Sequence, residues 1–138
     1  INILRAVGSA MVGTANSAHW NHDLDNEANK AFVAGFLAEY DRLPTIYASQ
    51  GYDTARLIAS ALRATGGKVV DDMDGFREAL RAADFDAVRG PFSFNNNHHP
   101  IQNWYSRVVV EENGEFRNKT IGTIVEGHAD SYASECKM

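Results

Sequence analysis

The chain carries one cysteine, three prolines and no long apolar run. Each scarcity excludes something. The lone thiol, Cys136, cannot close an internal bridge. It is either a free cytosolic thiol or half of a disulfide to upstream sequence in an oxidising compartment. No stretch approaches the ~20 apolar residues that a membrane helix needs. There is no block of Lys and Arg, and 18 acidic residues outnumber 13 basic ones for a net charge of −5. That balance argues against a surface that neutralises phosphates on nucleic acid or an anionic membrane. No Gly-x-Ser-x-Gly elbow, P-loop or Gly-x-Gly-x-x-Gly run occurs. Ser, His and Asp are present as in any domain of this size, which is no sign of a triad. The chain is read as a non-enzyme without a cofactor. It begins at Ile1 with no signal-peptide pattern, so a processed or truncated N-terminus is expected.

What is present is ordinary for a soluble globular protein: 138 residues, 44% apolar and 22% charged. Such a length fits one modest domain or a piece of a larger one. Residues 3–14 read as short extended segments around glycines. Asp25 is the expected N-cap of a first helix, with Glu27 in its first turn and Phe32, Phe36, Leu37 and Tyr40 at helical spacing as far as Arg42. Ser49 is the expected N-cap of a second helix, which Gly66-Gly67 ends. A third begins near Asp72 or Asp74 and turns Phe76, Leu80 and Ala83 inward. Phe92 and Phe94 alternate, and Pro100 should break any regular element. Ile101–Val110 is rich in β-branched and aromatic residues and reads as a strand. Asn113-Gly114 suits a hairpin turn, with 116–125 returning as one or two strands. Three consecutive helices without intervening parallel strands leave apolar faces uncovered, which hints at partner strands outside this chain.

Several constellations were weighed for chemistry. His19-Trp20-Asn21-His22, followed by Asp23 and Asp25, has the residue types of a metal site, but a polar loop around a buried Trp explains it better. Asp23 to Glu27 lacks the glycine and distant Glu of a calcium loop. His98-His99 has no cysteine or close carboxylate and reads as a hydrogen-bonding loop. Asn118-Lys119-Thr120 fits the glycosylation pattern, a match common by chance. The most informative stretch is Tyr47-Ala-Ser-Gln-Gly-Tyr-Asp53. With Ser49 as cap, it sets Gln50, Gly51 and Tyr52 at a helix N-terminus, where free N–H groups and the dipole favour a carboxylate. Tyr52 is then either an aromatic wall for a small ligand or simply the first core residue of its helix.

The order of the pieces carries a resemblance. Gly13-Thr14, Ala18-His19-Trp20, Asn29 to Val33, Tyr40 to Pro44, Gly51-Tyr52-Asp53, Leu80-Arg81 and Arg89 to Phe92 follow one another at characteristic spacing. Over nearly the whole chain this resembles the C-terminal portion of the type I periplasmic solute-binding proteins of ABC importers, of the branched-chain amino acid class. The run Phe94 to Gln102 resembles a subgroup associated with aromatic acids. The resemblance implies an α/β fold of two Rossmann-like lobes that close on a ligand, of which this chain is a C-terminal fragment. Residues 1–15 would be second-lobe strands. Residues 16–102 would be a first-lobe helical segment with crossings near 15–21 and 98–103. Residues 103–138 would be second-lobe strands and tail. The resemblance implies Tyr52 in the pocket and His19, Trp20 and His99 near the crossings; Gln50, from the expected helix start, joins them as a candidate ligand contact. It implies a small carboxylate ligand, aromatic acid or branched-chain amino acid, an ABC permease partner, a missing N-terminal part of the same protein and a periplasmic location. It also allows Cys136 an upstream disulfide partner. The same fold serves as a sensor domain in receptors and regulators, which is the rival reading.

Overall fold

The computed structural model describes residues 2–137. Helix α1 spans Asn2–Val7 and passes into a 3-10 turn, Gly8–Met11; strand β1 is Ala15–Ala18. Three helices follow: α2 Glu27–Tyr40, α3 Ile46–Ala64 and α4 Met73–Ala82. Strands β2 Phe92–Phe94, β3 Pro100–Glu112 and β4 Glu115–His128 come last, before a short 3-10 turn, Ala133–Glu135.

The strands form one antiparallel sheet with β3 at its centre. β2 pairs with the start of β3 (Phe94 opposite Pro100), and β1 with its middle (Ala18 opposite Tyr105). β4 runs along β3 from Glu112–Glu115 to Gln102–His128. A strand has two edges, so β1 and β2 share one while β4 takes the other. Asn113 (φ 54°) and Gly114 (φ 77°) both adopt positive φ, the geometry of the tight primed hairpin that Asn-Gly favours.

Four local expectations are corrected. Residues 2–11 are helical rather than extended, because Leu4 buries itself and Arg5 reaches Glu115 on β4 at 2.9 Å. The stretch 1–15 is thus not a set of strands; only Ala15 opens β1. Asn26, not Asp25, caps α2 by accepting from the Asn29 N–H at 2.8 Å, while Asp25 pairs with Lys30. Thr45, not Ser49, caps α3, accepting from Ala48 N at 3.2 Å. Pro44 disfavours helix in the residue before it, so the helix starts at the first hydroxyl beyond it. Ser49 is buried a turn later, and its hydroxyl donates back to the Ile46 carbonyl. Pro100 opens β3 instead of breaking it, because the first residue of a strand tolerates a missing N–H. Asp72 does cap α4.

The apolar core gathers Trp20, Leu24, Phe32, Val88 and Tyr105, with Phe36, Ile46 and Tyr52 packed on it. Two polar knots lie inside. Asn29, fully buried, accepts from Trp20 Nε1 at 2.8 Å and donates to the carbonyls of His22 and Leu24 at 3.1 Å each. Asp53 on α3 accepts from the Val88 N–H and from Arg89 Nε, both at 2.9 Å. Arg89 goes on to Gln102 on β3, and its carbonyl accepts from the Tyr105 hydroxyl at 2.8 Å. The side chains of Arg89 and Asp53 are only 9% and 5% exposed.

Removing one partner of a buried ion pair strands the other charge, at a cost of about 3–5 kcal/mol. Asp53→Ala should therefore lower unfolding stability by about that amount in urea titration, and the double change Asp53→Ala with Arg89→Met should recover much of it. Equal losses in the single and double variants would contradict a dominant pair.

Candidate functional site

The Thr45 cap brings the first turn of α3 toward the sheet. There a cavity of about 390 Å3 opens between α1, the turn from Leu43 to Tyr47, the segment Trp20–His22 and the two long strands. A second cavity of about 320 Å3 shares Leu43, Thr45 and Arg117 with it, making one groove. On the helical side stand Trp20, Pro44, Ile46 and Tyr47. Tyr47 is 79% exposed, unusual for an aromatic ring in a concave wall. On the strand side stand Arg107 of β3 with Arg117 and Asn118 of β4.

The walls are held by hydrogen bonds. Arg107 Nε donates to Asn16 Oδ1 at 2.9 Å and Nη1 to the Trp20 carbonyl at 3.1 Å. Asp23 accepts from the Thr120 N–H (2.8 Å) and hydroxyl (2.6 Å), which fastens the 21–23 segment to β4. Asn21 Nδ2 adds the Asn118 carbonyl at 3.1 Å. Burial pulls the Arg107 pKa below its ordinary value, with Asp23 opposing. Burial also pushes His22 down, Asp23 and Glu112 opposing while Arg117 and Arg107 reinforce. Among the described residues the buried Nε of Arg117 has no hydrogen-bond partner, and the Glu112 carboxylate stands 3.8 Å from it.

The residues expected from sequence fall in different places. Trp20 lines the cavity, its indole buried and bonded to Asn29. Tyr52 lies behind it, in the core, with its ring 4.7 Å from that of Phe32. It sits in the second turn of α3, not at the N-terminus, and Gln50 is exposed on the same helix. His19 lies edge-on to Trp104 with centroids 5.9 Å apart. His99 is exposed, with Nδ1 3.4 Å from the Asp130 carboxylate. Sequence reasoning passed over Tyr47, Arg107 and Arg117. Tyr47 was within reach, because moving the cap from Ser49 to Thr45 shifts the helix start onto it. The arginines signal themselves only as cations inside strands otherwise rich in valine, aromatic and β-branched residues. His19 and His22 do not build a metal centre: among the described residues no group of three His, Cys, Asp or Glu could hold an ion.

The chain belongs to the periplasmic binding protein family, whose description matches residues 1–115, and its fold is that of the type I members. It is similar to the solute-binding protein of an ABC transporter from R. palustris, solved with benzoate. The identity is 34% and the TM-score 0.85, over 99% of this chain and 36% of that one. It is similar to the ABC transporter substrate-binding protein of Sphaerobacter thermophilus at 27% identity and TM-score 0.83, over 91% of this chain and 34% of that one. A third, from Rhodopseudomonas palustris BisB5 with 3,4-dihydroxybenzoic acid, gives 30% and 0.76 over 94% and 35%. The chain thus spans about a third of the length of these proteins. No curated protein matches it. Among the described residues no helix is long and apolar enough to cross a membrane.

His19 supplies a pH test. Burial first, then the charges of Arg89 and Arg107, lower its pKa from 6.5 to about 4. Its Nε2 is buried without a hydrogen-bond partner among the described residues. Between these values the unfolded chain binds the proton and the folded chain does not, so stability should fall as pH drops from 6.5 toward 4. His19→Gln should flatten that acid limb in urea midpoints measured at neutral and acid pH. An unchanged slope would show that His19 is not the group responsible.

Proposed function

We propose that this chain is part of the solute-binding component of an ABC importer, working in the periplasm and delivering a small carboxylate to an inner-membrane permease. An aromatic acid stands ahead of a branched-chain amino acid. The observation that carries this reading is Tyr47, an exposed aromatic ring at the first turn of a helix, facing a groove across from two arginines. A flat ligand body can lie on such a ring, and a helix start adds free N–H groups and positive potential. The benzoate and dihydroxybenzoate bound by the two R. palustris relatives support the same class.

The mechanism is lobe closure without covalent chemistry. Binding shifts an open–closed population, and the closed form docks on the permease. The remaining part of the protein supplies the opposite wall. It also covers apolar side chains left bare here, such as Leu37 on α2, Ile58 on α3 and Ile124 on β4. Trp20 is the fixed floor of the site. Tyr52 acts from behind it, through the ring contacts Tyr52–Phe32 (tilted) and Phe32–Trp20 (edge-on). His19 and His99 then act through the geometry of the crossings near 15–21 and 98–103, and Gln50 from the exposed face of α3.

A thermal-shift screen of the full-length protein tests this. The panel holds benzoate, 4-hydroxybenzoate, 3,4-dihydroxybenzoate and leucine. A ligand at 100 times its Kd should stabilise by ~2.7 kcal/mol. Tyr47→Ala should abolish most of the shift. Tyr52→Ala should lower the starting Tm while keeping much of the ligand increment. No shift with any of these acids would remove the solute-binding reading.

A further inference from the structure

Resting on the solute-binding reading, we infer that the segment after β4 is a clasp over the crossing near 98–103, and that it restrains the hinge on which the lobes close. In that reading residues up to 102 belong to one lobe and those from 103 to the other, so a contact between 95–99 and 130–136 ties the two within this chain. β3 leaves the crossing, β4 returns beside it, and the run beyond β4 lands on the turn between β2 and β3. Asn97 Nδ2 donates to Asp130 Oδ2 at 2.7 Å, and Asn96 Nδ2 to the Ala133 carbonyl at 3.0 Å. His99 Nδ1 stands 3.4 Å from the same Asp130 oxygen.

Both halves of the clasp are ordered by their own bonds. Asp130 Oδ1 accepts from the Tyr132 N–H at 2.9 Å, which leaves Oδ2 for the turn. Ala133 is buried, and its N–H donates to the Asp130 carbonyl at 3.2 Å. On the other half, the Asn95 N–H donates to the His99 carbonyl and the His98 N–H to the Asn95 carbonyl, both at 2.9 Å. Asn97 serves both halves: its Oδ1 accepts from the His99 N–H at 3.1 Å while its Nδ2 reaches Asp130. His98 sits at φ 60°, a left-handed conformation that a residue with a side chain keeps when its surroundings impose it. Just past the crossing, Asn103 Oδ1 accepts from the Gly127 N–H at 2.9 Å, which fixes the end of β4 to the same place. Hinges concentrate their backbone change in a few residues at element ends, and 95–99 is where β2 gives way to β3. The bond from Asn97 to a carboxylate is charge-assisted, the stronger kind. A hinge already restrained in the free protein loses less freedom on closure, which favours the bound state.

The test uses the full-length protein, natural and as Asn97→Ala, Asp130→Ala and the double variant, with benzoate and leucine as probes. Amide hydrogen exchange of 95–99 should run about 10-fold faster in each single variant, the loss expected for a charge-assisted hydrogen bond. Calorimetric titration should show the bound probe held about 5-fold or more weakly in each, the low end of coupling between distant sites. The double variant should be no weaker than the single ones, because one contact is being removed twice. Urea midpoints check folding; if one single variant does not fold, the other carries both readouts. A fall in urea midpoint with affinity unchanged would make the contact merely structural and overturn the inference, as would unchanged exchange at 95–99 or losses that add in the double variant. Each of those results leaves the solute-binding reading intact. If the natural protein binds neither benzoate nor leucine, the reading and the inference fall together.

Discussion

Two opposite charges out of water, Asp53 and Arg89, determine how the helices meet the sheet. Each would be costly alone. Together they are bonded at 2.9 Å, and the remaining valences go to the Val88 N–H and Gln102. The pair joins α3 to the segment that leads into β2, and Gln102 extends it to the central strand. Tyr105 closes the knot by donating to the Arg89 carbonyl. Gly90 is required beside it for two reasons. Its φ is 93°, and a Cβ there would stand 2.9 Å from the Tyr105 hydroxyl. An ion pair of this kind specifies an arrangement more than it stabilises one. Here the arrangement is the angle at which α3 presents its first turn.

The groove inherits that angle. Asn29 draws the chain at Trp20–Leu24 around its amide, and Asp23 fixes the same segment to Thr120 on β4. One strand-side tether and one helix-side tether thus act on five consecutive residues. Trp20 becomes an immobile wall, and Arg107 is held against its carbonyl. Tyr47 is the contrasting element: exposed, on the helix start, with little packed around it. A rigid floor, a fixed cation and an available aromatic ring are the half-site of the proposed function, which closure of a second lobe would complete.

How much of this was legible depended on how local the cause is. The Asn113-Gly114 hairpin, the Asp72 cap and the β-rich run after Pro100 are set by neighbouring residues, and the sequence shows them. The family resemblance, resting on an ordered series of short matches, agrees with the family that the chain proves to belong to. Other features depend on distant residues. α1 lies against β4, more than a hundred positions away, where Arg5 pairs with Glu115, so its own residues read as extended. Ser49 and Thr45 are both good caps within one turn, and Pro44 decides between them. That four-residue shift moved attention to Tyr52, which packs on Phe32, and away from Tyr47. Arg107 and Arg117 share a groove only through strand register, which no local pattern reveals.

The central claim is that a small aromatic acid sits in the groove against Tyr47 and Trp20. A crystal structure of the full-length protein grown with benzoate tests it most directly. A bound benzoate should place its ring against Tyr47 and Trp20, within about 4 Å. Benzoate bound elsewhere, with Tyr47 left free, would contradict it.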